Sequence, residues 1–134
     1  MRILLLSDIH SNLEALEACL EAAPEHDTVV NLGDVVGYGA SPNEVIDRCR
    51  GIGKIFVRGN HDKAVSGLMD LRDFNPIAGL SALWSREQPT PEHMEWLKTL
   101  PQGPIREDGI NGAQFVHGSP LDEDEYVVTQ RDSL

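Results

Sequence analysis

The chain has 134 residues with 22 acidic and 11 basic side chains, a formal net charge of -11. That length suits a single domain, 1–134, able to bury about two-thirds of its unfolded surface, and 40% hydrophobic with 25% charged residues is the composition of a folded chain rather than a disordered one. The acidic balance argues against a nucleic-acid binder, which needs a basic stripe to displace counterions, and no apolar run approaches a membrane span. The opening Met1 to Leu6 is too short for a signal peptide, so the expectation is a cytoplasmic protein without nucleic-acid or membrane partners.

Ile3 to Leu6 reads as a buried strand that ends at Ser7-Asp8-Ile9-His10. Ser11-Asn12-Leu13-Glu14 has the capping-box pattern and predicts a helix with Leu13, Leu16, Leu20 and Ala23 on its apolar face, stopped by Pro24. A second strand, Thr28 to Leu32, runs into Gly33-Asp34-Val35-Val36-Gly37. Ser41-Pro42-Asn43-Glu44 repeats the capping device, with Val45, Ile46 and Cys49 facing inward and Gly51 ending the helix. A third strand, Ile55 to Val57, leads to Gly59-Asn60-His61-Asp62. Alternating strands and helices imply parallel pairing with right-handed crossovers, an α/β fold.

From Asp62 to Leu100 the pattern is helical, with Leu80, Leu83 and Trp84 expected in the core and Thr90-Pro91 opening a helix that presents Met94, Leu97 and Trp96. Ile105 to Glu107 and Ala113 to Val116 read as a hairpin that delivers His117-Gly118. Asp122 to Glu125 is expected to be a solvated acidic loop leading into a further strand at Tyr126 to Val128. Cys19 and Cys49 fall on helices and read as reduced, semi-buried thiols, while His26 and His93 are expected to face solvent.

Four polar clusters therefore sit where strands end, the edge at which open α/β sheets place their chemistry. Asp8 and His10, two apart on an extended chain, point the same way and can share a cation. Carboxylate oxygen with imidazole nitrogen suits manganese, iron or zinc better than calcium or magnesium. Asp34, between Gly33 and Val35, is either a carboxylate that bridges two cations, one oxygen to each, or an ordinary turn aspartate. Asn60 offers a neutral oxygen and His117 a nitrogen to a second metal, while His61 points elsewhere and suits a proton donor or charge stabiliser. Asp62 orients an imidazole or caps the next helix, and capping is the simpler role. Tyr38, Asn43, Arg58 and Arg72 are candidates for lining the site, with structural roles as the alternative. No Gly-x-Gly-x-x-Gly follows the first strand, which argues against a Rossmann-type nucleotide binder.

Asp8-Ile9-His10, Gly33-Asp34-Val35-Val36-Gly37, Gly59-Asn60-His61-Asp62 and the lone His117, in this order, resemble the calcineurin-like metallophosphoesterase superfamily. Leu6 to Asn12 and Gly33 to Gly39 are most similar to bacterial members grouped with protein phosphatases and diadenosine tetraphosphatases. The resemblance spans Met1 to about Pro120. It implies a four-layer α/β/β/α sandwich, of which this chain would form the N-terminal portion, stopping before the family's Gly-His-x-His motif and leaving an open sheet face for self-association. It further implies two divalent transition-metal ions, manganese favoured over iron or zinc. Asp8 and His10 would hold the first, Asp34 would bridge, and Asn60 and His117 would hold the second. His61 would be the catalytic histidine, and a small phosphoester or a phosphoprotein would be hydrolysed, as a phosphate mono- or diester, by a hydroxide held between the metals. The alternative is a weakened metal- or phosphate-binding domain or interaction module that lacks the last two histidine ligands.

Overall fold

The computed structural model describes residues 1–133. Its centre is a parallel three-stranded sheet in the order β1 (Ile3–Leu6), β2 (Thr28–Asn31), β3 (Ile55–Phe56). The register pairs Leu6 with Asn31 and Asn31 with Phe56, so all three strands end level with one another. Helix α1 (Leu13–Ala22) crosses from β1 to β2, and α2 (Pro42–Ile52) from β2 to β3. Beyond the sheet come the short helix α3 (Asn60–Val65), a 3-10 turn at Leu71–Asp73, and helices α4 (Pro76–Arg86) and α5 (Pro91–Thr99).

Strand alternation sorts the core to two faces. On one side Leu16, Val35, Val36, Val45, Ile46, Cys49, Val65 and Leu97 pack together, with Phe56, Met94 and Trp96 at the margin. On the other, Val30, Ile55, Val57 and Phe115 form a smaller cluster flanked by Ile3, Leu32 and Ile105. The expected hairpin contracts to a single antiparallel bridge, Ile105 with Phe115, with both N–H···O bonds at 2.9 Å. Phe115 is the buried residue of that pair, and the chain on either side of the bridge lies mostly at the surface, where nothing rewards a longer ladder. Tyr126 to Val128 forms no strand.

Helix ends depart from expectation by a residue or two. Ser11 takes φ +56° and gives its N–H to Val35 O, so α1 starts one residue later and is capped by Asn12, whose side chain accepts from Ala15 N at 3.0 Å. Ser41 makes no side-chain cap; Pro42 at the first helical position opens α2 instead, and the helix runs past Gly51 to Ile52, with Gly53 as its C-cap.

In α4 and α5 the burial differs from expectation. Helix α4 turns its small residues Ala78, Ala82 and Ser85 inward, against α3, and leaves Leu80, Leu83 and Trp84 exposed. Small side chains let the two helices approach closely, and the bulky stripe is left outside. His93 is buried rather than solvent-facing: its Nδ1 lies 2.6 Å from Asn43 Oδ1 and its Nε2 2.7 Å from Asp47 Oδ1. Asn43 Oδ1 also accepts from Thr90 N, so both ring nitrogens face acceptors and α5 is tied to α2 through this imidazole.

Both cysteines are free thiols, but neither is semi-buried as expected: Cys19 is exposed and Cys49 buried. Burial, helped by the charge of Asp62, pushes the Cys49 thiol up to about 12, against a hydrogen bond from Asn31. A thiolate-directed alkylating reagent should therefore modify the native chain once, at Cys19, and twice only after unfolding. Two equivalents taken up at similar rates by the folded protein, read by mass spectrometry, would contradict this core.

Candidate metal centre

Parallel pairing continues beyond the strands and aligns the loops that carry the site. Leu32 N donates to Leu6 O, Asp8 N to Gly33 O, His10 N to Asp34 O and Ser11 N to Val35 O, all at 2.8–3.0 Å. This zipper sets Asp8 and His10 beside Asp34. Holding the chain in that path requires left-handed backbone at Asp8, His10, Asp34 and Tyr38, with φ of 50–60°, each a conformation disfavoured for a residue with a Cβ.

The loop after β2 is fixed from the other side by Asp62. Its fully buried carboxylate accepts from Asp34 N at 2.8 Å, Gly59 N at 2.9 Å and Val36 N at 3.2 Å. The expected cap of α3 is present, and the same side chain also joins two loops that are distant in sequence. Burial and the charge of Asp34 push Asp62 up to about 7, against those three N–H donors. Gly59 is required here by close approach, because a Cβ at this position would overlap the Asp34 carboxylate.

Asp8, His10, Asp34, Asn60 and His117 converge. Asp34 Oδ2 lies 3.6 Å from His10 Nε2 and 3.4 Å from His117 Nε2. Asp8 Oδ1 is 3.7 Å from His10 Nε2, and Asn60 Oδ1 is 3.2 Å from His117 Nε2. Asp34 Oδ1 accepts from His61 N at 2.9 Å, so a single oxygen, not one for each cation as expected, faces both histidines. Groups with ligand atoms near enough for one ion are His10 with Asp34 and His61, and Asp8 with Asp34 and His117. Asp34 belongs to both, and His61 lies within ligand range although its sequence position suggested another role.

The donor chemistry fits a divalent metal. His10 Nδ1 donates to Val36 O at 3.0 Å and His117 Nδ1 to Leu32 O at 2.8 Å; a carbonyl can only accept, so each Nδ1 carries a proton and each Nε2, the nitrogen left for a cation, is directed at Asp34. Electrostatics match. Burial works to raise the pKa of Asp34, but the His117 hydrogen bond and charge, with the charges of His61 and His10, hold it below the usual carboxylate range. Burial opposes protonation of His117, yet its contacts with Asp34 and Leu32 O and the charge of Asp8 lift it to about 9. A proton then occupies the position between His117 and Asp34 that a cation would otherwise fill. For His61, burial and the charges of His10 and His117 outweigh Asp34 and Asp8, and its pKa is lowered.

Around this cluster is a hollow of about 370 Å³ reaching Tyr38, Asp124 and Tyr126. A second, about 550 Å³ and lined by Leu6, Ile9 and Leu16, opens on the other side of Asp8, His10 and Tyr38. Of the suggested lining residues only Tyr38 reaches these walls. Asn43 serves His93, Arg72 pairs with Asp70 at the surface, and Arg58 is engaged by Glu123 at 2.8 Å. The acidic loop is correspondingly not free in solvent: Lys63 Nζ lies 3.1 Å from Glu123 and 2.6 Å from Asp124. No sequence signal marks this network, because its partners lie 60–65 residues apart.

Known proteins resemble this chain in sequence and fold. The family model for calcineurin-like phosphoesterases matches residues 1–133. An uncharacterized protein of Methanocaldococcus jannaschii is 39% identical over 122 residues, 88% of this chain and 49% of that protein. A metallophosphoesterase crystal structure from Sphaerobacter thermophilus superposes with TM-score 0.78 at 43% identity, covering 95% of this chain and 51% of the other. The fold recurs in a hypothetical protein of Pyrococcus horikoshii, TM-score 0.70 at 22% identity, over 95% of this chain and 58% of that one. The chain thus spans about half the length of the relatives it matches and corresponds to the N-terminal part of their fold. With its four ordered clusters gathered at one sheet edge, it belongs to the calcineurin-like phosphoesterase family, whose members are hydrolases that bind divalent metals.

Proposed function

We propose that this chain carries the metal-binding and proton-donating residues of a phosphoesterase that hydrolyses a phosphate mono- or diester. The observation that supports it best is the pair of histidines, His10 and His117, each with its Nδ1 proton committed to a backbone carbonyl and its Nε2 aimed at the same buried carboxylate, that of Asp34. Asp8, His10 and Asp34 would hold one transition-metal ion and Asp34, Asn60 and His117 a second, with manganese favoured. Such ions supply Lewis-acid charge that polarises a phosphoryl oxygen and acidifies water.

The chain's own contribution is position and proton control. Asp34 fixes the spacing of the two ligand groups, and its Oδ1 anchors the backbone of His61. His61 lines the same hollow as Asp34 and the two ligand histidines. Its lowered pKa favours the neutral imidazole, which serves by hydrogen-bond donation to the leaving oxygen as charge builds there. The wall of Leu6, Ile9 and Leu16 offers apolar surface to the organic part of the substrate.

Asp34→Asn should lose metal at both positions, read by elemental analysis and titration, since one oxygen faces both histidines. Loss at one position only would remove Asp34 from the bridging role. Because His117 in the metal-free chain holds a proton up to a pKa of about 9, manganese binding at pH 7 should release about one proton from it and tighten as pH rises toward that value. Calorimetry in buffers of different ionisation enthalpy measures this, and binding that did not depend on the buffer would reject the ligand role of His117. His61→Ala should keep its metal and lower turnover of an aryl phosphodiester by roughly 10²- to 10⁴-fold. A parallel loss of metal would make His61 a ligand instead.

A further inference from the structure

Three histidines meet at the site, and they are held in two different ways. His10 and His117 are fixed by N–H donation to backbone carbonyls. The His61 side chain, in a residue only 7% exposed, has no hydrogen-bond partner among the described residues; the residue's hydrogen bond to the site is its backbone N–H to Asp34 Oδ1. Rings surround it instead. The His61 centroid lies 4.7 Å from that of Tyr38, 4.8 Å from His10 and 4.9 Å from Phe74, at interplanar angles of 45°, 81° and 52°. Gly37 closes a further side, where an added Cβ would stand 2.9 Å from His61 Nδ1. Such tilted and edge-on contacts are the favoured geometries between rings.

The two modes have different chemical consequences. A hydrogen bond from Nδ1 fixes the tautomer and reserves the other nitrogen for a metal. Packing by rings restrains the orientation of an imidazole and leaves both nitrogens free, the condition a group needs if it is to give a proton to one partner and regain one from another. We propose that Tyr38 and Phe74 are positioning residues that clamp the His61 imidazole in one orientation without engaging either nitrogen. For catalysis this rests on the reading of His61 as the proton-donating residue; the clamp itself does not. Tyr38 reaches His61 from the glycine-flanked loop after β2, and Phe74 from the turn that follows Leu71–Asp73. Phe74 touches the ring of His61 and not that of His10, so its removal isolates the clamp from the ligand set.

The test compares Tyr38→Phe, Tyr38→Leu and Phe74→Leu in the full chain, leucine keeping apolar bulk so that folding is retained. In the metal-free protein, nuclear Overhauser contacts between the His61 ring protons and Gly37 Hα report orientation directly. They should be strong in the natural chain and in Tyr38→Phe, and weakened severalfold in both leucine variants. With manganese bound, kcat for an aryl phosphodiester should fall about tenfold or more in Phe74→Leu and Tyr38→Leu, with metal content and KM held and Tyr38→Phe close to the natural chain. Unchanged ring contacts and unchanged kcat in Phe74→Leu would overturn the clamp. A rise in KM alone would overturn it in favour of contact between these rings and the substrate, and loss of metal in favour of support for the ligands. If the natural chain hydrolyses no phosphoester, the functional reading fails, while the ring contacts still decide whether the clamp exists.

Discussion

The site depends on one buried carboxylate. Asp62 is fully enclosed, and its two oxygens take three backbone N–H groups from two loops, one after β2 and one at the start of α3. Without it those three donors would be left in a dry interior, each at a cost of about 1–3 kcal/mol. Asp34 and Gly59 would also lose the bond that registers their loops. The ligand carboxylate and the helix carrying Asn60 and His61 are thus placed by a residue that belongs to neither candidate ligand group. Its position in sequence, directly after His61, ensures that anything moving Asp62 also moves the site.

That tie also explains how the chain sustains unfavourable backbone. Asp8, His10, Asp34 and Tyr38 all take left-handed φ without being glycine. Residues held in such regions cost of order 1–3 kcal/mol each and persist where surrounding bonds over-determine them. Here the bonds are visible: Asp8 N and His10 N are donated to the second loop, Asp34 N to Asp62, and Gly39 N back to His10 O. The same left-handed turns aim Asp8, His10 and Asp34 into one volume.

Much of this was legible in the sequence for a specific physical reason. Strand ends announced by apolar runs, and the residue types that follow them, needed no knowledge of tertiary contacts, so the convergence of Asp8, His10, Asp34, Asn60 and His117 could be expected in advance. Residues whose role is set across the fold could not. His93 reads as a surface histidine until α5 lies against Asn43 and Asp47, which are 46–50 residues away. Helix α4 offers a stripe of large apolar residues and a stripe of small ones, and periodicity favours the large; the closeness of α3 decides for Ala78, Ala82 and Ser85. Phe74, in an irregular turn, carries no pattern at all.

The segment that brings in His117 shows what replaces regular structure when little is available. It has only one bridge, Ile105 to Phe115, yet it must place Nε2 of His117 within a few ångströms of Asp34. Two further anchors follow the bridge. His117 Nδ1 holds Leu32 O, which seats the ligand on β2's own exit. Beyond it, Glu123 is gripped by Arg58 and Lys63, with Asp124 on Lys63 as well, so the chain on the far side of His117 is bound to the entry and body of α3. The Lys63, Glu123 and Arg58 side chains are 8%, 13% and 22% exposed, and a network at that depth contributes little net stability after desolvation. Its physical value is geometric: leaving any one charge unpaired there is costly, so the loop has one way to dock. Because α3 also bears Asn60 and His61, the loop, the second ligand group and the ring-held histidine are referred to the same short helix, and a shift in one carries the others with it.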